Sequence, residues 1–139
     1  MATLALKGGT PVRTTPWPKY PVLGADEEAA AVRVVRAQNL CEAFGTEVRE
    51  FEKEFAAYLG VRHAIAVCNG TAALHTALAA AGVGVGHEVI VPPYTFVATA
   101  TAVPMQNAIP VFADIEPRTQ GLDPAEVAKR ITARTRAVI

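Results

Sequence analysis

The sequence lacks the features that mark secreted, membrane-spanning or nucleic-acid-binding proteins. Its 13 Lys and Arg are balanced by 13 Asp and Glu, so the formal net charge is zero and nothing steers the chain to nucleic acid. Its two cysteines, Cys41 and Cys68, have the spacing of neither a disulfide framework nor a metal site. The first residues lack the apolar core of a signal peptide, and no apolar run reaches membrane-spanning length. We therefore expect a cytoplasmic protein without nucleic-acid, membrane or metal partners.

What the sequence does contain is the composition of a folded domain. Hydrophobic residues make up 51% of the 139 positions and charged residues 19%, which are ordinary values for globular proteins. A compact chain of this length buries roughly two-thirds of its unfolded surface, which is sufficient for one hydrophobic core. The length therefore predicts about one domain.

Residues 1–24 are predicted to form an extended N-terminal arm. Two adjacent glycines, Gly8 and Gly9, and four prolines interrupt regular structure in this segment. Trp17 and Tyr20 would be unfavourably exposed on an isolated arm. We therefore expect the arm to pack on the protein body or on a partner subunit.

Two helices are predicted to follow the arm. Asp26 can cap a helix that runs to about Ala37 and carries Glu27 and Glu28 in its first turn. A second helix is predicted from about Thr46, since apolar residues recur there every three or four positions. Gly60 is a suitable residue to end it.

From residue 63 onward the pattern is typical of an α/β fold with a mostly parallel sheet. Short apolar runs alternate with helical stretches of about ten residues. The runs are continuous enough to predict strands that are buried on both faces. The predicted strands are residues 64–68, 88–91, 110–113 and 136–139, and the predicted crossover helices are residues 71–81, 95–106 and 124–131.

The ends of two crossover helices are predicted in more detail. Asp123 supplies an N-cap, Pro124 suits the first helical position and Glu126 adds an acidic group in the first turn. Asn107 is a plausible left-handed C-cap, and Pro104 is expected to kink the helix that precedes it.

The sequence reaches Ile139 within the fourth predicted strand. A sheet interrupted there would have a long apolar edge without a partner, which complete proteins normally cover. We therefore expect residues 25–139 to be an incomplete large domain, truncated in a strand, and the chain to be an N-terminal fragment of a longer enzyme.

The tripeptide Asn69-Gly70-Thr71 is the clearest candidate for a binding site. It lies where the first predicted strand turns into a helix, at the sheet edge where α/β proteins bind ligands. Free amides at the helix start, a glycine that permits close approach and a threonine hydroxyl together suit a phosphate group. Spacing alone does not separate this interpretation from a simple capped turn.

Residues 92–96 directly follow the second predicted strand and contain two aromatic side chains. Tyr94 or Phe96 could stack on a planar ring bound beside the first loop. Packing within the loop is the simpler explanation when the residues are considered alone.

No chemical role is predicted for the glycine-rich run, the histidines or the lysines. The glycine-rich run 82–86 follows a helix and precedes a strand, the reverse of a dinucleotide-binding loop, so we interpret it as a turn. The histidines have no metal-ligand spacing, and the lysines are interpreted as surface charges. These residues are His63, His75, His87, Lys7, Lys19, Lys53 and Lys129.

Several motifs, kept in order and spacing from about Leu6 to Ile139, resemble one family as a set. They are Asn69-Gly70-Thr71-Ala72-Ala73-Leu74, Gly86-His87-Glu88-Val89-Ile90-Val91-Pro92, Thr95-Phe96-Val97-Ala98-Thr99, Pro110-Val111-Phe112-Ala113-Asp114 and Thr135-Arg136-Ala137-Val138. The chain resembles the DegT/DnrJ/StrS sugar aminotransferases, which use pyridoxal 5′-phosphate (PLP).

The resemblance implies the N-terminal part of a fold-type-I PLP-dependent transferase large domain, which acts as a homodimer. It implies that Gly70 and Thr71 hold the cofactor phosphate and that Phe96 stacks on the pyridine ring, with Tyr94 a weaker candidate for the same neighbourhood. The family's Schiff-base lysine and the aspartate that pairs with the pyridine nitrogen would both lie beyond Ile139. No catalytic residue is therefore expected in the 139-residue chain, which should be inactive alone.

For the longer enzyme, the resemblance implies amino transfer from glutamate or glutamine to the keto group of a nucleotide-linked sugar. An aminocyclitol aminotransferase is an alternative, because residues 4–13 resemble the scyllo-inosose branch of the family. A PLP-dependent sugar dehydratase, in which the lysine is replaced, and a catalytically inactive dimerisation fragment are further alternatives.

Overall fold

The computed structural model describes residues 3–139, which divide into two compact units. The first unit extends to Arg49, and the second runs from Glu50 to Ile139. The helices are α1 (Ala25–Ala37), α2 (Glu47–Leu59), α3 (Gly70–Ala80), α4 (Ala98–Thr101) and α5 (Pro124–Arg130), and the strands are β1 (Glu88–Val91), β2 (Ile109–Phe112) and β3 (Thr135–Val138). Single 3-10 turns cover Ala5–Lys7 and Pro104–Gln106.

The described part of the arm contains little regular structure beyond the 3-10 turn. The Arg13 guanidinium lies 4.2 Å from the centre of the Trp17 ring and donates hydrogen bonds to the carbonyls of Thr15 and Pro16. This cation–π contact covers little of the indole, which remains 79% exposed.

Helix α1 starts differently from the prediction that Asp26 caps it. Gly24 is the N-cap residue, and its N–H donates a 2.7 Å hydrogen bond to Oε2 of Glu27, whose pKa is lowered mainly by that bond. A glutamate in the third helical position can reach back to the cap, so Asp26 is left in the first turn. Helix α2 ends as predicted, because Gly60 adopts a left-handed φ of +68°.

The second unit contains a parallel sheet in the order β2-β1-β3, which confirms the predicted fold class. Strand β1 pairs with both neighbours, and its four residues are all buried. Strands β2 and β3 are only partly buried, contrary to the prediction, because each lies at an edge of this three-stranded sheet. Their bounds also begin one residue earlier than predicted.

A single apolar cluster joins the sheet to the helices that cross it. Leu78 of α3, Val103 after α4 and two side chains of β1, Val89 and Val91, belong to it. Val83 joins the cluster from the turn after α3, and the N–H of Val83 donates to the carbonyl of Leu78. The glycine-rich run therefore serves as the predicted turn, with left-handed glycines at its two ends.

The first predicted strand, residues 64–68, forms no strand in the described chain. Strand structure requires a neighbouring backbone to exchange hydrogen bonds, and none of the described residues provides one here. The N–H of Ala66 instead donates to Oε1 of Glu52 on α2, at 2.7 Å. The prediction of a strand buried on both faces is therefore wrong here, since Ile65 is also 79% exposed.

The crossover predicted as one helix over residues 95–106 is also divided. Helix α4 covers four residues and is followed by the 3-10 turn that Pro104 opens, because proline offers no N–H to continue an α-helix. Asn107 ends this turn at a left-handed φ of +55°, as predicted. The predicted cap of α5 is likewise confirmed, since Oδ1 of Asp123 accepts a 2.8 Å hydrogen bond from the N–H of Ala125.

A buried carboxylate joins the amino ends of β1 and β3. Glu88, only 5% exposed, accepts hydrogen bonds from the Arg134 guanidinium and, at 2.5 Å, from the Thr132 hydroxyl. The N–H of Glu88 also donates to the carbonyl of Arg134. Both the backbone and the side chain of Glu88 therefore tie β1 to the segment that leads into β3.

Replacing Arg134 by alanine should destabilise the protein, because it leaves the buried Glu88 carboxylate with one partner fewer. We expect the free energy of unfolding, measured by urea denaturation, to fall by about 1–3 kcal/mol. Arg130→Ala is the matched control, since Arg130 is exposed and forms no ion pair within the described residues. Equal stability of the two variants would show that the Glu88–Arg134 pair contributes nothing.

Candidate functional site

The start of α3 lies at the carboxyl edge of the sheet. At its other end, Ala81 accepts a 3.3 Å hydrogen bond through its carbonyl from Arg136, near the start of β3. Leu74, nearer the start of the helix, lines the same groove as Ile139 beyond the end of β3. Helix α3 therefore runs antiparallel to the strands, and its first residues lie where ligands bind in α/β folds.

The first turn of α3 has two backbone donors that have no acceptor among residues 3–139. Asn69 caps the helix, with its Oδ1 accepting the N–H of Ala72 at 2.9 Å and its carbonyl accepting the N–H of Ala73. Among the described residues, the N–H groups of Gly70 and Thr71 and the Thr71 hydroxyl have no hydrogen-bond partner. The helix dipole adds partial positive charge at this point, and the first turn contains no acidic side chain.

The space around Gly70 is open. A Cβ added at this position would meet no heavy atom within 4 Å, so packing inside the protein does not require glycine here. Its φ is also outside the left-handed region, so backbone conformation does not require glycine either. The open surface and the free amides together suit an anion that approaches the backbone closely, such as a phosphate group.

The loop between β1 and α4 presents two aromatic rings at the same edge of the sheet. Phe96 is 77% exposed and Tyr94 is exposed as well, so neither ring is packed within the loop. The hydroxyls of Thr95 and Thr99 lie 2.9 Å apart, and the N–H of Thr99 donates to the carbonyl of Phe96. The backbone beside Phe96 is thus held by α4, while its ring is free to contact a planar group.

The structure brings the two predicted halves of the site to one edge but not into direct contact. Helices α3 and α4 pack against each other. The loop that precedes each helix therefore lies at this edge. Within residues 3–139, no hydrogen bond or ring contact joins Gly70 or Thr71 to Tyr94 or Phe96. This edge therefore has an open helix start and an exposed aromatic loop as two separate features.

Two polar groups at this edge received no role in the sequence predictions. Asp114 follows β2, and its Oδ1 accepts the N–H of Ile115 at 2.8 Å. Glu116 orders the next turn, and its pKa is lowered mainly by the Thr119 hydroxyl and then by the N–H of Arg118. In the sequence, the position of Asp114 directly after the predicted strand 110–113 is the feature that could have identified it.

The lysines of the second unit are held by acidic neighbours. Nζ of Lys129 lies 2.5 Å from Oε1 of Glu126, which raises the pKa of the lysine, and Nζ of Lys53 lies 3.9 Å from Glu50. A lysine must lose its proton to act as a nucleophile, so the ion pair of Lys129 opposes that role.

Neither a metal site nor a membrane helix is found in the part of the chain that the structure describes. No group of three or more His, Cys, Asp or Glu side chains comes together there as potential ligands. The helices between residues 3 and 139 are too short or too polar for a bilayer crossing.

Comparison with known proteins identifies the family. The pattern of the DegT/DnrJ/EryC1/StrS aminotransferase family matches residues 22–139. The chain belongs to this family. The predicted resemblance is therefore confirmed, and so is the prediction that the fold is part of a PLP-dependent transferase.

Curated and solved members of the DegT/DnrJ/EryC1/StrS family are similar to almost the whole chain. An L-glutamine:2-deoxy-scyllo-inosose aminotransferase from Streptoalloteichus tenebrarius is 44% identical over 141 aligned residues, which cover 98% of this chain and 33% of that protein. The crystal structure of 3-amino-5-hydroxybenzoic acid synthase superposes with a TM-score of 0.87 at 40% identity, covering 91% of this chain and 33% of the other.

A third similar structure is that of a PLP form. The PLP form of a Streptococcus pneumoniae protein named as a sugar aminotransferase has a TM-score of 0.80 at 28% identity, covering 85% of this chain and 30% of the other. The chain thus spans about one third of the length of the curated relatives it matches.

Replacing Asn69 by alanine should weaken the start of α3. The N–H of Ala72 would lose its side-chain acceptor, and loss of such a cap costs about 1 kcal/mol. The measurement is the free energy of unfolding in urea, with Asn69→Ser as the control because serine also provides a capping oxygen. An alanine variant as stable as the serine variant would contradict the capping role.

Proposed function

We propose that this chain holds the cofactor of a PLP-dependent aminotransferase. In this proposal Gly70 and Thr71 bind the phosphate, and Phe96 stacks on the pyridine ring with Tyr94 in the same neighbourhood. The observation that carries it is the unused donor set at the start of α3, on the same sheet edge as an exposed aromatic ring.

The residues of the chain would act by binding and orientation. The N–H groups of Gly70 and Thr71 would donate to phosphate oxygens at the positive end of α3, and the Thr71 hydroxyl would add a third donor. Phe96 would cover one face of the ring and exclude water from it. PLP, when bound, supplies the electron sink through which an amino group is transferred.

The groups that perform the chemistry are proposed to lie beyond Ile139. These are the lysine that binds PLP covalently and the aspartate that faces the pyridine nitrogen. The relatives are about three times as long as this chain, which supports that location. The ion pairs of Lys53 and Lys129 support it as well. The 139-residue chain alone is therefore expected to bind PLP weakly and to transfer no amino group.

For the longer protein we propose amino transfer from glutamate or glutamine to a keto group on a sugar or cyclitol. A nucleotide-linked keto sugar is the first candidate acceptor. A scyllo-inosose-type cyclitol is the second, and the Streptoalloteichus tenebrarius relative favours it because its match covers 98% of this chain, including most of the arm. A PLP-dependent dehydratase or an inactive dimerisation partner would follow if the lysine were replaced.

A homodimer and a cytoplasmic location are part of the same proposal. The exposed Trp17 on the arm supports a partner subunit, because an isolated arm gains little by exposing an indole. The two free cysteines, Cys41 and Cys68, support a reducing compartment.

Replacing Thr71 by valine should weaken binding of the cofactor phosphate. A hydrogen bond to a charged group contributes about 1.5–3 kcal/mol, so the affinity should fall by about tenfold or more. The measurement is titration of the cofactor-free natural gene product with pyridoxamine 5′-phosphate, which cannot form a covalent bond with lysine. Thr76→Val, on the exposed side of the same helix, is the matched control and should bind normally.

Replacing Phe96 by alanine should weaken retention of PLP, because its pyridine ring would lose the proposed stacking partner. We expect a loss of several-fold to about tenfold in affinity, because an aromatic contact contributes about 0.5–1.5 kcal/mol beyond its buried area. Retention of PLP during dialysis is the measurement, and Phe96→Tyr should preserve it. Unchanged retention in Phe96→Ala, with a loss in Tyr94→Ala, would transfer the stacking role to Tyr94.

The natural gene product should transfer nitrogen from labelled glutamine to a keto acceptor. Incubation with isotope-labelled glutamine and either a nucleotide-linked keto sugar or a scyllo-inosose, followed by mass spectrometry, separates the two candidate acceptors. Label in neither product, together with loss of water from the sugar, would favour the dehydratase. A protein that binds PLP without either reaction would favour the inactive partner.

A further inference from the structure

We infer that Asn69 is a positioning residue whose uncharged amide keeps the start of α3 available to the cofactor phosphate. This inference rests on the proposed function, since it concerns the same two amides, and it assigns a role to a residue beside them. The capping side chain must accept an N–H of the first helical turn without adding a negative charge next to a phosphate.

The geometry divides the first donors of α3 between the cap and the open surface. Oδ1 of Asn69 accepts the N–H of Ala72, whereas the adjacent N–H groups of Gly70 and Thr71 have no partner among the described residues. Nδ2 of Asn69 lies 3.6 Å from Sγ of Cys68, which orients the other end of the amide. Both ends of the Asn69 amide therefore have a partner in a neighbouring residue.

Helix stability alone does not require asparagine at this position. Aspartate is an equally good N-cap, and its charge interacts favourably with the positive end of the helix. The chain uses a carboxylate in this way at α5, where Asp123 is the cap, and at α1, where Glu27 accepts the N–H of Gly24. A phosphate group at α3 would be repelled by such a charge, whereas the neutral amide avoids the repulsion.

The inference therefore predicts a variant in which stability and binding separate. Asn69→Asp should fold with stability equal to or greater than that of the natural protein. Its affinity for pyridoxamine 5′-phosphate should nevertheless fall by about tenfold or more, because a carboxylate would lie within a few ångströms of a dianion. Asn69→Ser provides a neutral cap and should retain both stability and affinity.

The experiment uses the cofactor-free natural gene product and these two variants. Each protein is titrated with pyridoxamine 5′-phosphate and with unphosphorylated pyridoxamine, and its free energy of unfolding is measured without ligand. The aspartate variant should lose affinity for the phosphorylated probe only, and the loss should shrink as salt is raised, since salt screens the repulsion. A purely structural cap would produce neither selectivity nor salt dependence.

Two results would overturn the inference. Binding of the phosphorylated probe by Asn69→Asp as tightly as by the natural protein would remove the role of charge. Affinities that simply follow stability across the variants would reduce Asn69 to an ordinary cap. Failure of the natural protein to bind the probe, or indifference of that binding to Thr71→Val, would instead reject the proposed function and the inference with it.

Discussion

The burial of β1 is the constraint on which the α/β unit depends. Val89, Ile90 and Val91 are fully buried, and the backbone of the strand is hydrogen-bonded on both sides, to β2 and to β3. Because β1 pairs with both neighbours in parallel, the chain must cross back over the sheet between the strands, and the strands all end at the same edge. The loop after Val91 therefore lies at the edge where the antiparallel helix α3 begins.

The amino and carboxyl edges of the sheet differ in whether their polar groups have partners within the described protein. At the amino edge the buried Glu88 is satisfied by Arg134 and Thr132, so its polar groups stabilise the fold and are closed to ligands. At the carboxyl edge the amides of Gly70 and Thr71 are unused by the described protein, and the ring of Phe96 is exposed. Helix starts and strand ends meet at this second edge, so a binding site can be built there without disturbing the core.

Features with a local physical cause were predictable from the sequence. The cap by Asp123, the left-handed ends at Gly60 and Asn107, and helix α3 each depend on residues within one turn of chain. The strand assignment of residues 64–68 failed because strand structure needs a partner that the segment itself cannot supply. Asp26 failed as a cap because Glu27, one position on, reaches back to Gly24.

The sequence by itself determined the alternation of apolar runs and helices, the cap of α5, and the Asn69-Gly70-Thr71 turn, because periodicity and local hydrogen bonding are properties of neighbouring residues. Its motifs also indicated the family, which the comparison confirmed. Only the tertiary structure decided that β1 is central and that the outer strands are half-exposed. Those facts depend on which distant segments pair and pack, and no single stretch of chain encodes that choice.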